Sequence, residues 1–298
     1  MMPTEKPKII AIIGPTATGK SDLGVSLAKK YNGEVVSADS RQVYRGLDIG
    51  TGKITKQEMQ GVPHHLLDVA DPKRVYSVAR YQRQGQKAIA SILKRGKVPI
   101  IVGGSGFYVN ALLFDMKLPD VKPDVALRKK LEKLSTAELF MKLTAIDERR
   151  ALDIDKNNRV RLIRAIEIAT HQGATPPLTT SSPYDIYWIG IRTDNTILKE
   201  RIALRLTKRL RKGMLAEFKR LHRQGVSFRR MEALGLEYRF GARLLQKLIT
   251  RKEFETQLTS EIVKYAKRQM TWWKRNKCIH WVDVGMPDIT LPPINPST

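Results

Sequence analysis

Cysteine is nearly absent from this chain: Cys278 is the only one among 298 residues. That excludes an internal disulfide and any cysteine-based zinc site. Cys278 itself reads as a structural thiol, since no nucleophile's partner set surrounds it in sequence. Long hydrophobic runs are missing as well. No apolar stretch approaches the about 20 residues that a membrane helix needs, and the apolar run near the N-terminus carries no signal-type cleavage site. A mature, cytoplasmic protein with no membrane partner is expected. Negative charge is scarce: 29 Asp and Glu stand against 54 Lys and Arg, a formal net charge of +25. The imbalance is local. Arg192 to Lys277 holds 24 basic and 8 acidic residues, whereas Pro119 to Ile186 holds 12 and 10. A field concentrated in one segment points to a polyanion larger than a nucleotide, the plainer alternative being a merely soluble basic surface.

What is present suffices for one large domain with a smaller appendage, since 42% of the residues are hydrophobic. The first 113 residues alternate strand and helix. Lys8–Ile13, Glu34–Ala38 and Val98–Val102 are apolar enough for strands buried on both faces, and Lys20–Tyr31 and Ser77–Arg95 read as the helices between them. Tyr187–Ile191 resumes the strand pattern and Ile279–Val284 offers a last one. The fold class is therefore α/β: a parallel sheet core of the P-loop NTPase type flanked by helices. From Pro119 to Pro183 only helical patterns occur, in Leu127–Leu134, Thr136–Leu143 and Asn158–His171, bounded by Pro119 and Pro123 before and Pro176, Pro177 and Pro183 after. This predicts a small all-helical insertion domain at 119–183, with 1–118 and 184–298 forming the core. The rest reads as three helices, Thr196–Gln224, Gly235–Ile249 and Glu253–Asn276. In the last, Phe254, Leu258, Ile262 and Tyr265/Ala266 keep a core-facing stripe, while Lys264, Lys267, Arg268 and Arg275 crowd another face.

The densest signal is Gly14-Pro15-Thr16-Ala17-Thr18-Gly19-Lys20-Ser21, directly after the first strand and opening the first helix. The pattern G-x-x-x-x-G-K-[ST] cradles phosphates: successive backbone N–H groups and the positive helix end form an anion pocket. Lys20 adds a point charge, and the Ser21 hydroxyl is placed to hold Mg²⁺.

Asp39 closes the second strand and should face that loop, because ligands of open parallel sheets sit beyond the carboxyl ends of the strands. It could hold Mg²⁺, take a proton from an acceptor group, or cap a helix; the polar Ser40, Arg41 and Gln42 after it favour the acceptor role. The third strand ends in Gly103-Gly104-Ser105-Gly106 and not in the usual acidic residue. Nothing there obviously positions a hydrolytic water, which weakens a mechanical ATPase reading. The glycines either let backbone approach a ligand or make a plain tight turn. His64 and His65 are adjacent, face different ways and have no ligand-spaced carboxylate, which disfavours a metal site. Of Trp272 and Trp273, one is expected in the core, and the other could stack on a base.

Together the blocks G-P-T-A-T-G-K-S, A-D-S-R-Q-V-Y-R-G-L-D-I-G-T-G-K, V-P-H-H-L-L-D-V, G-G-S-G-F-Y, N-R-V-R-L-I-R-A-I-E-I, G-L-E-Y-R and A-K-R-Q-M-T-W-W, in order from Gly14 to Trp273, resemble the tRNA dimethylallyltransferases. The resemblance implies transfer of a dimethylallyl group from dimethylallyl diphosphate to N6 of adenosine 37 in tRNA, with the base flipped out of its stack. It implies that the loop Gly14–Ser21 holds the prenyl donor and not ATP, with Mg²⁺ on Ser21. Asp39 matches the family's general base, Ser105 stands where the family usually has threonine near the adenosine, and Arg205 matches a diphosphate clamp. Matching tRNA-contact positions are Asp39, Ser40, Arg41, Gln42, Ser105 and Arg128, and in the helical insertion Val160, Arg161, Leu162, Ile163 and Arg164. Gly235–Arg239 matches less fully, since Leu236 stands where many relatives have tyrosine. A bacterial-type monomer without the zinc-finger extension of eukaryotic relatives is expected. The rival classes are a small-molecule kinase using the same loop, a prenyltransferase acting on free adenine nucleotide, and a non-enzymatic RNA-binding module. The basic segment disfavours the first two, and the third leaves the loop and Asp39 unexplained.

Overall fold

The computed structural model describes residues 5–114, 116–173 and 181–285. Pro176 and Pro177, expected to close the insertion, lie outside the described residues. The chain divides into two compact units, Met1–Phe114 with Ser182–Thr298, and Asp115–Ser181.

The first unit is a six-stranded sheet in the order β3-β2-β4-β1-β5-β6, every pair parallel. Its strands are β1 (Lys8–Ile13), β2 (Gly33–Ser37), β3 (His64–His65), β4 (Val98–Val102), β5 (Asp185–Arg192) and β6 (His280–Asp283). Four helices punctuate the first half: α1 (Lys20–Lys30), α2 (Lys56–Met59), α3 (Val78–Lys94) and α4 (Gly106–Leu113). The apolar runs have a simple cause. Ile9, Ala11 and Ile13 of β1 enter one core together with α3 and α4, while Ile10 and Ile12 enter another with Val25, Leu27 and Ala28 of α1. A strand covered on both faces cannot alternate apolar with polar residues. At the end of β1, Gly14 takes φ 138°, and a Cβ there would stand 2.5 Å from the Ile191 carbonyl oxygen; only glycine lets the loop leave beside β5.

Every regular element among the described residues of the second unit is a helix: α5 (Val125–Leu131), α6 (Thr136–Ile146), α7 (Glu148–Asp153) and α8 (Arg159–Gln172). Leu131, Leu139, Leu143, Leu162 and Ile166 form its core. Its helix starts are specified locally. Asp124, Ser135, Asp147 and Asn158 each cap with their own side chain, Ser135 in a reciprocal capping box with Glu138.

The chain then returns to the sheet and continues as α9 (Asn195–Arg211), α10 (Met214–Arg223), α11 (Phe228–Leu234), α12 (Leu236–Leu245) and α13 (Arg251–Trp273). The single helix expected over Thr196–Gln224 is two, because Gly213 adopts φ 99° and ends the first one. β3, α2, α4 and α11 had no periodic signature. β3 and α2 are too short to show one, and α4 begins inside the glycine run.

Far from the loop edge, Glu34 is 3% exposed and meets His65 Nε2 at 2.7 Å, Arg95 Nη2 at 2.6 Å and Lys97 Nζ at 2.9 Å. Burial works to raise its pKa, but the hydrogen bonds from His65, Lys97 and Arg95 outweigh burial and bring it down to about 2. The folded value lies below the unfolded one, so the stabilisation is complete above about pH 4.5 and drains away as pH falls towards 2. Glu34→Gln is expected to lower unfolding free energy by roughly 3 kcal/mol at pH 7 and far less near pH 2; urea unfolding of both proteins at the two pH values checks it.

Candidate active site

Because β1 lies between β4 and β5 and all run parallel, the loop after β1 opens at the carboxyl edge of the sheet. A cavity of about 430 Å³ sits there. At one end are Thr16 to Ser21. Thr18 Oγ1 donates to the Pro15 carbonyl at 2.9 Å, and Lys20 Nζ donates to the same oxygen. Ala17 (φ 64°) and Gly19 (φ 85°) are left-handed, and no side chain caps α1. Its first N–H groups are left for an anion. Burial foremost, then the Arg205 charge, lowers the Lys20 pKa to about 7, while Asp39 pulls the other way.

Asp39, Gln42 and Tyr265 line the same cavity. Asp39 Oδ1 accepts from the Arg41 N–H at 2.8 Å and the Gln42 N–H at 3.3 Å. One oxygen thus caps the following turn, and Oδ2 has no protein hydrogen-bond partner among the described residues. Ser105 Oγ accepts from the Ser40 N–H at 3.2 Å, tying the ends of β4 and β2 together. Burial, and after it the Asp39 charge, pushes the Tyr265 hydroxyl up to about 12 against an opposing hydrogen bond with Ser105.

Arg205 reaches this cavity from α9. Burial and the neighbouring Arg209 lower its pKa to about 10. Its position depends on the loop at 48–52. Glu217, 4% exposed, accepts from the N–H groups of Asp48 (3.1 Å), Ile49 (2.7 Å) and Gly50 (3.0 Å) and from the Tyr238 hydroxyl (2.8 Å). The loop's carbonyls are held in turn: Arg209 donates to Gly50 O and Thr51 O, and Arg205 Nη2 donates to Gly52 O at 3.3 Å. Glu237 completes the group at 3.2 Å from Arg209 Nη1; burial raises its pKa and Arg209 opposes the rise.

Gln269, which motif reading passed over, joins both sides. Its Oε1 accepts from the Thr16 N–H at 2.9 Å, and its Nε2 donates to the Gly104 carbonyl at 3.0 Å. Packing by itself already requires glycine along this run. A Cβ at Gly103 would stand 2.2 Å from Ala38 O, at Gly104 2.1 Å from Gln269 Nε2, and at Gly106 2.2 Å from Trp272 Nε1. The sequence did carry a signal: Gln269 falls on the apolar stripe of α13 between Ala266 and Trp273, where an uncharged polar residue implies a buried hydrogen-bonding task.

Other expected residues lie elsewhere. In the helical unit Arg128 and Arg164 both pair with fully buried Glu167. Burial works to raise the Glu167 pKa, and the two arginines more than offset it, bringing it to about 2. Val160 is 78% exposed and Arg161 exposed, but Leu162 is a core residue, so its side chain meets no ligand. Leu236 opens α12 at φ 29°, beside Gly235, which abuts the Arg41 guanidinium. Trp273 is buried as expected, and Trp272 covers Gly106. Cys278, read as a structural thiol, is exposed. His64 lines the cavity with its Nδ1 2.9 Å from the Val62 carbonyl oxygen, and no group of three or more His, Cys, Asp or Glu among the described residues could hold a metal ion.

Fold and cavity define an α/β protein with a cavity at the carboxyl edge of a parallel sheet, where an uncapped helix start and a carboxylate share one lining. The family model for IPP transferase matches residues 42–276, and the chain belongs to that family. It is 43% identical over 281 residues to tRNA dimethylallyltransferase 1 of Geotalea daltonii, covering 92% of this chain and 90% of the relative. It is 40% identical over 279 residues to the protein of that name from Geotalea uraniireducens, covering 92% of each. Among solved structures, the full-length tRNA isopentenylpyrophosphate transferase of Bacillus halodurans superposes with a TM-score of 0.71 at 39% identity, over 94% of this chain and 90% of that one. A eukaryotic dimethylallyltransferase acting on tRNA gives 0.79 at 27% identity, over 93% of this chain and 74% of that one.

Gln269→Leu strands the Thr16 N–H and the Gly104 carbonyl, and is expected to lower unfolding free energy by about 1–3 kcal/mol. Gln269→Glu keeps the acceptor for Thr16 but sets an oxygen against the Gly104 carbonyl, so its cost should shrink as pH falls and the carboxyl can donate; urea titration of the three proteins at pH 7 and pH 4 checks it.

Proposed function

We propose that this protein transfers a dimethylallyl group from dimethylallyl diphosphate to N6 of adenosine 37 in tRNA, releasing diphosphate. The observation that carries this reading is the sharing of one cavity by the loop Thr16–Ser21 and Asp39. Val35, Ile54, Leu67 and Val102 supply apolar wall between these polar groups in the lining, which suits a short prenyl chain. The allylic C–O bond breaks and diphosphate leaves with the bonding pair. The loop N–H groups, Lys20 and Arg205 compensate its growing charge. A bond forms from N6 to the allylic carbon, and the N6 proton passes to Asp39, whose turn-capping Oδ1 fixes the carboxylate for general-base work. Ser105 and Tyr265 border the acceptor end.

The residues suit Mg²⁺ carried with the substrate. Ser21 and Asp22 both line the cavity, and no protein cluster among the described residues could hold a metal alone; magnesium typically borrows phosphate oxygens and water. Held by Ser21, it would add positive charge beside the leaving diphosphate. The basic segment Arg192–Lys277 and the exposed Val160 and Arg161 support a nucleic-acid acceptor.

Incubation of tRNA with dimethylallyl diphosphate and Mg²⁺ is expected to add the mass of one dimethylallyl group per tRNA. ATP turnover without that mass would instead make the protein a kinase or ATPase. Asp39→Ala should retain tRNA binding while losing turnover by about 10²–10⁴-fold; a rate equal to the parent's removes Asp39 from the base role. Diphosphate binding favours protonated Lys20, so its affinity should fall about ten-fold from pH 6 to pH 8 as the amine, with its pKa near 7, gives up its proton. Calorimetry of the parent and Lys20→Met checks this, the variant losing the Lys20 share of the pH dependence.

A further inference from the structure

A separate cavity of about 230 Å³ is lined by Arg45, Asp71, Arg74, Val75, Tyr76 and Arg80, among others. Its frame is rigid. Tyr44 and Ala70 form a parallel bridge, and the Arg45 N–H donates to Ala70 O at 2.9 Å while the Ala70 N–H donates to Val43 O at 2.9 Å. From α11, Arg230 staples the opposite wall: Nε donates to Pro72 O at 2.7 Å and Nη2 to Arg74 O at 2.6 Å. The same guanidinium lies 5.3 Å from the Tyr44 ring centroid, and the Tyr44 hydroxyl accepts from the Tyr76 N–H at 3.1 Å.

On this frame stand three exposed guanidiniums, Arg45, Arg74 and Arg80, none in an ion pair among the described residues. The acidic neighbours are already engaged, Asp68 with Lys53 at 2.6 Å and Asp71 Oδ1 with the Lys73 N–H at 2.8 Å. Arg45 Nη1 reaches only the Asp68 carbonyl at 3.3 Å, and Arg80 lies over the Tyr76 ring at 5.4 Å. Between Arg74 and Tyr76, Val75 is held 79% exposed, an apolar side chain inside a cationic rim. The cavity is smaller than the about 300 Å³ at which enclosed small-molecule sites begin, yet it carries more cations than one phosphate needs. That combination fits a polyanion with an unpaired base. The lining of this separate cavity follows closely in the chain on the site already described. Asp39 caps the turn at Arg41 and Gln42, and the Tyr44 N–H donates to Arg41 O at 3.2 Å, so Arg45 follows Asp39 within a span of at most about 20 Å.

We propose that this cavity is a second nucleic-acid subsite, which takes the phosphate and base of a single-stranded nucleotide flanking the acceptor adenosine. Arg45, Arg74 and Arg80 hold the phosphates, while Val75 and the guanidinium plane of Arg80 meet the base face. The inference rests on tRNA being the acceptor. The test is the variant with Arg45→Gln, Arg74→Gln and Arg80→Gln in the full chain, with its thermal unfolding compared with the parent's. Its tRNA affinity should fall at least about ten-fold at low salt, and the slope of log affinity against log salt should shrink by roughly 0.7 to 0.9 for each arginine removed. Its affinity for inorganic diphosphate should stay within about two-fold of the parent's, since phosphate contacts made here serve the polynucleotide alone. Unchanged tRNA affinity and slope would overturn the subsite, as would loss of diphosphate and tRNA affinity together in a variant that unfolds like the parent. A parent protein that leaves tRNA unmodified overturns the prenyl-transfer reading itself, a result distinct from either.

Discussion

One buried amide ties the site together. Gln269 gives its oxygen to the Thr16 N–H of the phosphate-type loop and its NH₂ to the Gly104 carbonyl at the end of β4. These two chain segments leave neighbouring strands at one edge of the sheet, where the ladder that satisfied their backbone groups has stopped. Buried backbone groups beyond a ladder must find partners or incur desolvation. An uncharged amide supplies a donor and an acceptor at once without bringing a charge into a region already crowded by Lys20 and Arg205. The glycine at 104 follows from that choice, because a side chain there would occupy the place of the amide.

The opposite wall obeys the same rule with charged groups. Glu217 takes three consecutive N–H groups of the 48–50 segment, and Arg209 and Arg205 take the carbonyls that follow. A loop held at both donor and acceptor atoms is stiff, and its stiffness passes to Arg205, which has few other ties. Electrostatics then sharpens the cavity. Burial foremost, and after it the repulsion of Lys20 by Arg205 and of Arg205 by Arg209, lowers the pKa values of Lys20 and Arg205. A negative group between these cations would ease their repulsion.

Much of this was legible from residues in order along the chain. The double-sided burial of Lys8–Ile13 announced a parallel sheet, and the pattern Gly14–Ser21 and Asp39 at a strand end announced the side of the sheet where the loop and the carboxylate line one cavity. What stayed hidden was of two kinds. Short elements such as β3 and α2 have no room to display a period. Partnerships across great separations, such as Thr16 with Gln269 or Gly50 with Glu217, leave only an oblique trace: a polar residue on an otherwise apolar helix stripe. Leu162 and Cys278 show the converse. A residue inside a recognisable block reads as a contact, and a lone thiol as structural, until packing assigns each its exposure.

The sequence by itself determined what is local or periodic: strand burial, helix caps at Asp124, Ser135 and Asn158, the phosphate-loop pattern, and the concentration of positive charge between Arg192 and Lys277. These depend on residues within a few turns of one another, so the linear order contains them. Only the tertiary structure decided which polar groups satisfy which. It placed Gln269 between two loops, Glu217 beneath a third, and Arg45, Arg74 and Arg80 around an open cavity with no ion pair among the described residues. Such matches depend on where the sheet edge and the C-terminal helices meet, and chain order does not encode that distance.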